Sequence, residues 1–111
     1  MARKWSVYEQ NQLIKYGLAE KDLDQYCEMP VEYITGHCDF DDLDFLVNRD
    51  VLIPRVESVE MLPIAEKLVF DKQGVVFAEV GSGCGAIGIA LYRRLSAKGK
   101  EVRGTLSDIS A

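Results

Sequence analysis

One seven-residue turn, Glu79-Val80-Gly81-Ser82-Gly83-Cys84-Gly85, constrains this chain more than any other segment. The apolar run Val75-Val76-Phe77-Ala78 leads into it, and an apolar helical pattern over residues 86–95 follows. That order predicts a buried strand, a glycine turn and a helix start. Glycines let the backbone turn tightly and let a ligand approach the main chain. The first N–H groups of a helix lack intrahelical partners and are expected to face such a ligand. Three alternate glycines cost backbone entropy without adding packing, which disfavours a turn that binds nothing.

The flanking elements follow from period and punctuation. Ser6 and Glu9 form a capping-box pair ahead of Leu13 and Ile14, and Gly17 closes that helix. A second short helix is expected over 20–27. Pro30, Val31-Glu32-Tyr33-Ile34 and Gly36 predict a third of one or two turns. The period then changes to two. Phe40, Phe45 and Val47 alternate around Asp41-Asp42, a hairpin in which Asp42 takes a position usual for glycine. Val51-Leu52-Ile53 is a short apolar run stopped by Pro54. Met61, Leu62, Ala65, Leu68 and Val69 share a helical face. Pro63 requires that helix either to start near Leu62 or to kink. A strand over 75–80, a helix over 85–97 and a strand over 102–108 complete a parallel strand–helix–strand unit.

Composition narrows the function classes. The 111 residues suit one small domain, and 48% hydrophobic content argues against disorder. A net charge of −5 disfavours a nucleic-acid partner, which needs a basic surface. Arg93, Arg94, Lys98, Lys100 and Arg103 cluster in sequence, and a solvated helix end favoured by the helix dipole accounts for them. Cys27, Cys38 and Cys84 have no paired spacing, and His37 is the only histidine. Neither a disulfide framework nor a metal site is expected. No signal-peptide core or membrane-length apolar run is present, so a cytoplasmic protein is the expectation.

Two cofactors suit the glycine turn. Gly81-x-Gly83-x-x-Ala86 satisfies the loose dinucleotide fingerprint. Glu79-x-Gly81-x-Gly83-x-Gly85 satisfies the S-adenosylmethionine methyltransferase signature equally well. Asp108, about twenty residues on, suits the ribose hydroxyls of either. Glu79 favours the second, because a carboxylate repels a diphosphate and attracts an ammonium or sulfonium. Cys84 stands at the helix start without a nearby histidine base and reads as a small loop residue.

The chain also resembles a known family. Pro30-Val31-Glu32-Tyr33-Ile34-Thr35-Gly36, the 40–47 segment and Val51-Leu52-Ile53-Pro54-Arg55-x-Glu57-Ser58 are similar to segments of the HemK/PrmC methyltransferases. So are the 79–88 segment and Ser107-Asp108-Ile109-Ser110-Ala111. The resemblance implies use of S-adenosylmethionine to methylate the glutamine of the Gly-Gly-Gln loop of peptide chain release factors. It implies a shortened helical segment over 1–37, a linking β-hairpin over 38–53 and the start of a Rossmann-like methyltransferase domain over 54–111. The expected fold class is therefore α/β, an incomplete Rossmann-like unit preceded by short helices and a hairpin. By the same resemblance, Glu79, Gly81, Ser82, Gly83, Cys84 and Gly85 would surround the methionine part of the cofactor. Asp108 would hold the ribose, and Pro54, Arg55 and Glu57 would line the mouth. A helix-entry ion pair between Arg55 and Glu57 is the alternative for those two.

The family pattern is not complete. Val56, Ser58 and Asp42 stand where the family usually has proline, threonine and glycine. The family's catalytic tetrapeptide, Asn-Pro-Pro-Tyr, is absent, so no residue is assigned a catalytic role. The expectation is an N-terminal, truncated portion of a methyltransferase, inactive by itself. A non-catalytic cofactor- or partner-binding module and a dinucleotide-binding unit are the alternatives. An unpaired edge of the first parallel strand is expected to invite self-association.

Overall fold

The computed structural model describes residues 3–18 and 28–109. The helix expected over 20–27 lies outside the described residues. Helix α1 (Val7–Lys15) starts at the anticipated capping box. Ser6 Oγ accepts the Glu9 N–H at 3.1 Å, and Glu9 Oε1 accepts the Ser6 N–H at 2.8 Å. It ends in a Schellman turn, with the Leu18 N–H donating to Leu13 O at 2.8 Å and the Gly17 N–H to Ile14 O at 3.1 Å. Helix α2 (Val31–Thr35) follows Pro30 and stops at Gly36.

Strands β1 (His37–Phe40) and β2 (Leu43–Leu46) form an antiparallel hairpin, with Cys38 opposite Phe45 and Phe40 opposite Leu43. Both turn residues are left-handed, Asp41 at φ 50° and Asp42 at 62°. Two positive φ values in a two-residue loop make a type I′ turn, whose twist matches the strands it joins. The sequence pointed to Asp42 alone. Cys38, Phe40 and Phe45 face inward, and the rings of Phe40 and Phe45 meet edge-on at 6.5 Å.

A 3₁₀ turn (Val56–Glu60) runs into helix α3 (Met61–Leu68), so Pro63 falls in the first α-helical turn, where its missing N–H breaks no bond. Strand β3 (Gly74–Val80) pairs in parallel with β4 (Glu101–Ser107), and helix α4 (Ala86–Ala97) joins them. Among the described residues this sheet has two strands, and the hairpin is a separate sheet. The molecule is thus mixed α/β. Phe40 and Phe45 of the hairpin, Leu62 of α3, and Ala86 and Ala90 of α4 form one buried cluster.

A charged clamp reinforces that cluster. Arg94 of α4 grips Asp41 with a fork, Nε to Oδ2 at 2.8 Å and Nη2 to Oδ1 at 2.6 Å. Its Nη1 also donates to Glu66 Oε1 of α3 at 2.8 Å, and Lys98 pairs with the same carboxylate. Arg94 and Lys98, two of the cluster read as a solvated helix end, therefore tie hairpin, α3 and α4 together. Arg94 holds the Asp41 carboxyl below its ordinary range, and Lys98, then Arg94, does so for Glu66. A carboxylate depressed in the fold stabilises above its unfolded pKa, and that contribution is lost as pH falls through the folded value. Arg94→Gln is expected to cost about 1.5–3 kcal/mol at pH 7. Urea unfolding should show the difference from wild type shrinking below about pH 4, once the carboxylates protonate in both states.

A glycine turn and the cavity beneath it

The β3–β4 register ends at Val80 opposite Ser107. Beyond it the chain bends through Gly81 (φ 73°), Gly83 (φ 57°) and Gly85 (φ 86°). All three are left-handed, which explains the alternate glycines of the sequence. The Gly81 and Ser82 N–H groups both donate to Ser107 O, at 2.7 and 2.9 Å. The Gly83 N–H donates to Asp108 Oδ2 at 2.8 Å, and the Gly85 N–H to Ser82 O at 2.9 Å. Gly85 is the N-cap of α4 and has no side chain to close the helix. Glu79 does so instead, its Oε1 accepting the Gly88 N–H at 3.1 Å.

This geometry revises one expectation. The N–H groups of Gly81, Ser82, Gly83, Gly85 and Gly88 are used within the protein rather than held open for a ligand. Glu79 and Asp108, both singled out from the sequence as ligand-facing acids, are also the props of the turn.

A cavity of about 180 Å³ opens beside the turn. Glu79, Gly81, Ser82, Gly83 and Cys84 line one side, and Pro54 and Arg55 the other. Seven of the expected site residues therefore meet at one place. Gly85 is buried behind the cavity, Asp108 clamps the turn from outside it, and Glu57 is exposed on the 3₁₀ turn. Among the described residues Arg55 and Glu57 form no ion pair. Leu52, Ile53, Ser58, Ala86 and Ile87 complete the lining, and of these only Ala86, in the dinucleotide fingerprint, had been tied to a ligand. The first two belong to the apolar 51–53 run, which forms no strand and lies across the turn instead. An apolar run too short for a strand and stopped by proline was the available signal.

The cavity is electrostatically uneven. Burial pushes the Glu79 carboxyl above its ordinary value, and the Gly88 N–H only partly opposes that. Arg55 is exposed at the rim. Burial also pushes the Cys84 thiol up, which lowers its thiolate fraction and slows its reaction with electrophiles. The site can hold a ligand that brings positive charge to Glu79 and negative charge to Arg55, and it presents no evident acid–base pair.

No family model matches the chain. Curated relatives do. It is 32% identical to the release factor glutamine methyltransferase of Clostridium acetobutylicum, over 86% of this chain and 35% of that protein. It is 36% identical to the enzyme of the same name from Leptospira interrogans, over 90% of this chain and 34% of that one. With the Bacillus subtilis enzyme it shares 43% identity over 67 residues. Over this stretch the chain is similar in sequence to release factor glutamine methyltransferases, in keeping with the HemK/PrmC resemblance. The chain spans about a third of the length of the first two of these enzymes. Among the described residues no helix is long and apolar enough to cross a membrane.

Of the glycines, Gly88 has the shortest contact for an added methyl. A Cβ there would lie 2.2 Å from Leu106 Cδ2 and 3.0 Å from Glu79 Oε1. Gly88→Ala is expected to destabilise by about 1–3 kcal/mol through overpacking. Gly74→Ala, where a Cβ meets nothing within 4 Å, should change little. Thermal melts of the two variants beside wild type check this.

Proposed function

We propose that this chain is the S-adenosylmethionine-binding portion of a protein-glutamine methyltransferase that acts on peptide chain release factors. One observation carries the reading: a half-buried carboxylate, Glu79, on the wall of a cavity bounded by left-handed glycines, in a chain whose relatives are methyltransferases. When bound, the cofactor supplies a methyl group on a cationic sulfur. The residues present fit the methionine end of that molecule. Glu79 would meet its positive groups, and Arg55 at the rim its carboxylate. Gly81, Ser82, Gly83, Cys84 and Gly85 would pack beside the chain between them. Asp108 would take the ribose while it holds Gly83. Pro54 would line the mouth.

Size supports the same assignment. About 180 Å³ is below the roughly 300–1,000 Å³ of complete ligand pockets, and it suits an amino-acid-sized group. In this reading 1–37 is a helical segment, 38–53 a linker hairpin, and 54–111 the start of a Rossmann-like domain. The protein works in the cytoplasm on the release factor's Gly-Gly-Gln loop. The amide nitrogen of glutamine is a poor nucleophile and must be positioned against the methyl group. No group lining the cavity does that, so this chain alone binds cofactor without transferring methyl. A dinucleotide fits less well, because its diphosphate would approach an ionised Glu79.

Calorimetric titration with S-adenosylmethionine, S-adenosylhomocysteine and NAD tests the reading, with binding expected for the first two and none for NAD. NAD binding without adenosylmethionine binding would overturn it. Glu79→Gln keeps an oxygen to cap Gly88 and removes the charge. It should weaken adenosylmethionine by roughly 10–100-fold, the value of a hydrogen bond to a charged group. Stability should be unchanged or higher, because a carboxyl whose folded pKa is raised costs the fold free energy above that pKa. For the same reason wild-type affinity should fall as pH drops through the raised Glu79 value. Asp108→Ala should also weaken binding roughly 10–100-fold.

A further inference from the structure

We propose that Tyr33 is a positioning residue for the cavity, acting through the 51–55 strap. Tyr33 lies on α2, well before the strap in sequence. Its Oη donates to Val51 O at 2.7 Å in a half-buried setting. The strap has no strand or helix of its own to hold it. Its N-terminal end is tied by the Val51 N–H to Asn48 O at 3.1 Å, and Pro54 has no N–H to offer a partner. Yet the strap supplies the wall of the cavity that faces the glycine turn, including Arg55. It sits close upon that turn. Leu52 O and Val51 Cγ1 are both 3.7 Å from where a Cβ on Gly83 would lie.

One phenol therefore links a helix outside the strand–helix–strand unit to the wall of its cavity. With the bond in place, the strap stays on Gly83 and Arg55 stays at the rim. Without it, the carbonyl of Val51 loses its half-buried donor, and the strap lifts toward solvent where water can serve instead. The ligand-binding consequence rests on the cofactor reading above. The strap consequence does not.

Tyr33→Phe removes the hydroxyl and keeps the ring. Cys84 lines the cavity under the strap, whereas Cys38 is buried in the hairpin. Iodoacetamide labelling of each cysteine, read by mass spectrometry of its peptide, separates strap opening from general unfolding. The variant should label Cys84 roughly 2–10-fold faster, with Cys38 unchanged, and bind S-adenosylhomocysteine 2–10-fold more weakly. Unchanged Cys84 labelling overturns the proposal, and so does equal acceleration of both cysteines, which would make Tyr33 a stability residue only. Faster Cys84 labelling in a protein whose wild type takes no S-adenosylhomocysteine supports the strap role and removes the cofactor reading.

Discussion

The turn from β3 into α4 has no long side chain of its own, because glycine occupies every second position. Two carboxylates from the strand ends hold it instead. Glu79 accepts from Gly88 across the helix start, and Asp108 accepts from Gly83 at the crest. Each bond satisfies a backbone donor that a helix start or a left-handed turn leaves without a partner. The conformations of Gly81, Gly83 and Gly85 are accessible to glycine at little cost, but glycine alone does not select them. The two acids select them together with the Ser107 and Ser82 carbonyls, which take the Gly81, Ser82 and Gly85 N–H groups. That constraint sets where the cavity lies and gives it a negative wall.

The rest of the described molecule keeps this turn in register. Inward-facing Phe40 and Phe45 join the hairpin to α3 and α4 through Leu62, Ala86 and Ala90. The Arg94 fork adds a directional tie at the hairpin tip. One face of the parallel sheet is supported by α4, against which Phe77 and Leu106 lie. The other face is bare among the described residues, with Val76 81% and Val80 89% exposed. Parallel sheets are ordinarily covered on both faces.

Much of this was legible in the sequence because it depends on local rules. The Ser6–Glu9 box, the Gly17 closure, the Pro63 start and the alternate glycines each have a short-range cause. What was not legible depends on residues far apart in the chain. Arg94 reads as a solvated helix-end cation until the fold brings Asp41 and Glu66 to it. Glu79 reads as a ligand acid until the helix start turns Gly88 toward it. The 51–53 run reads only as a short apolar run stopped by proline until the fold lays it across the glycine turn, with the Tyr33 hydroxyl on Val51 O. In each case the sequence supplied the chemical group and the topology supplied its partner.

The central claim is that Glu79 props the turn and also carries the charge that a cationic ligand meets. Carbon-detected NMR titration of the Glu79 carboxyl, with and without S-adenosylmethionine, tests it most directly. The account predicts a pKa above the ordinary glutamate range in the free protein and a fall when the ligand binds. An ordinary value that the ligand does not move would contradict it.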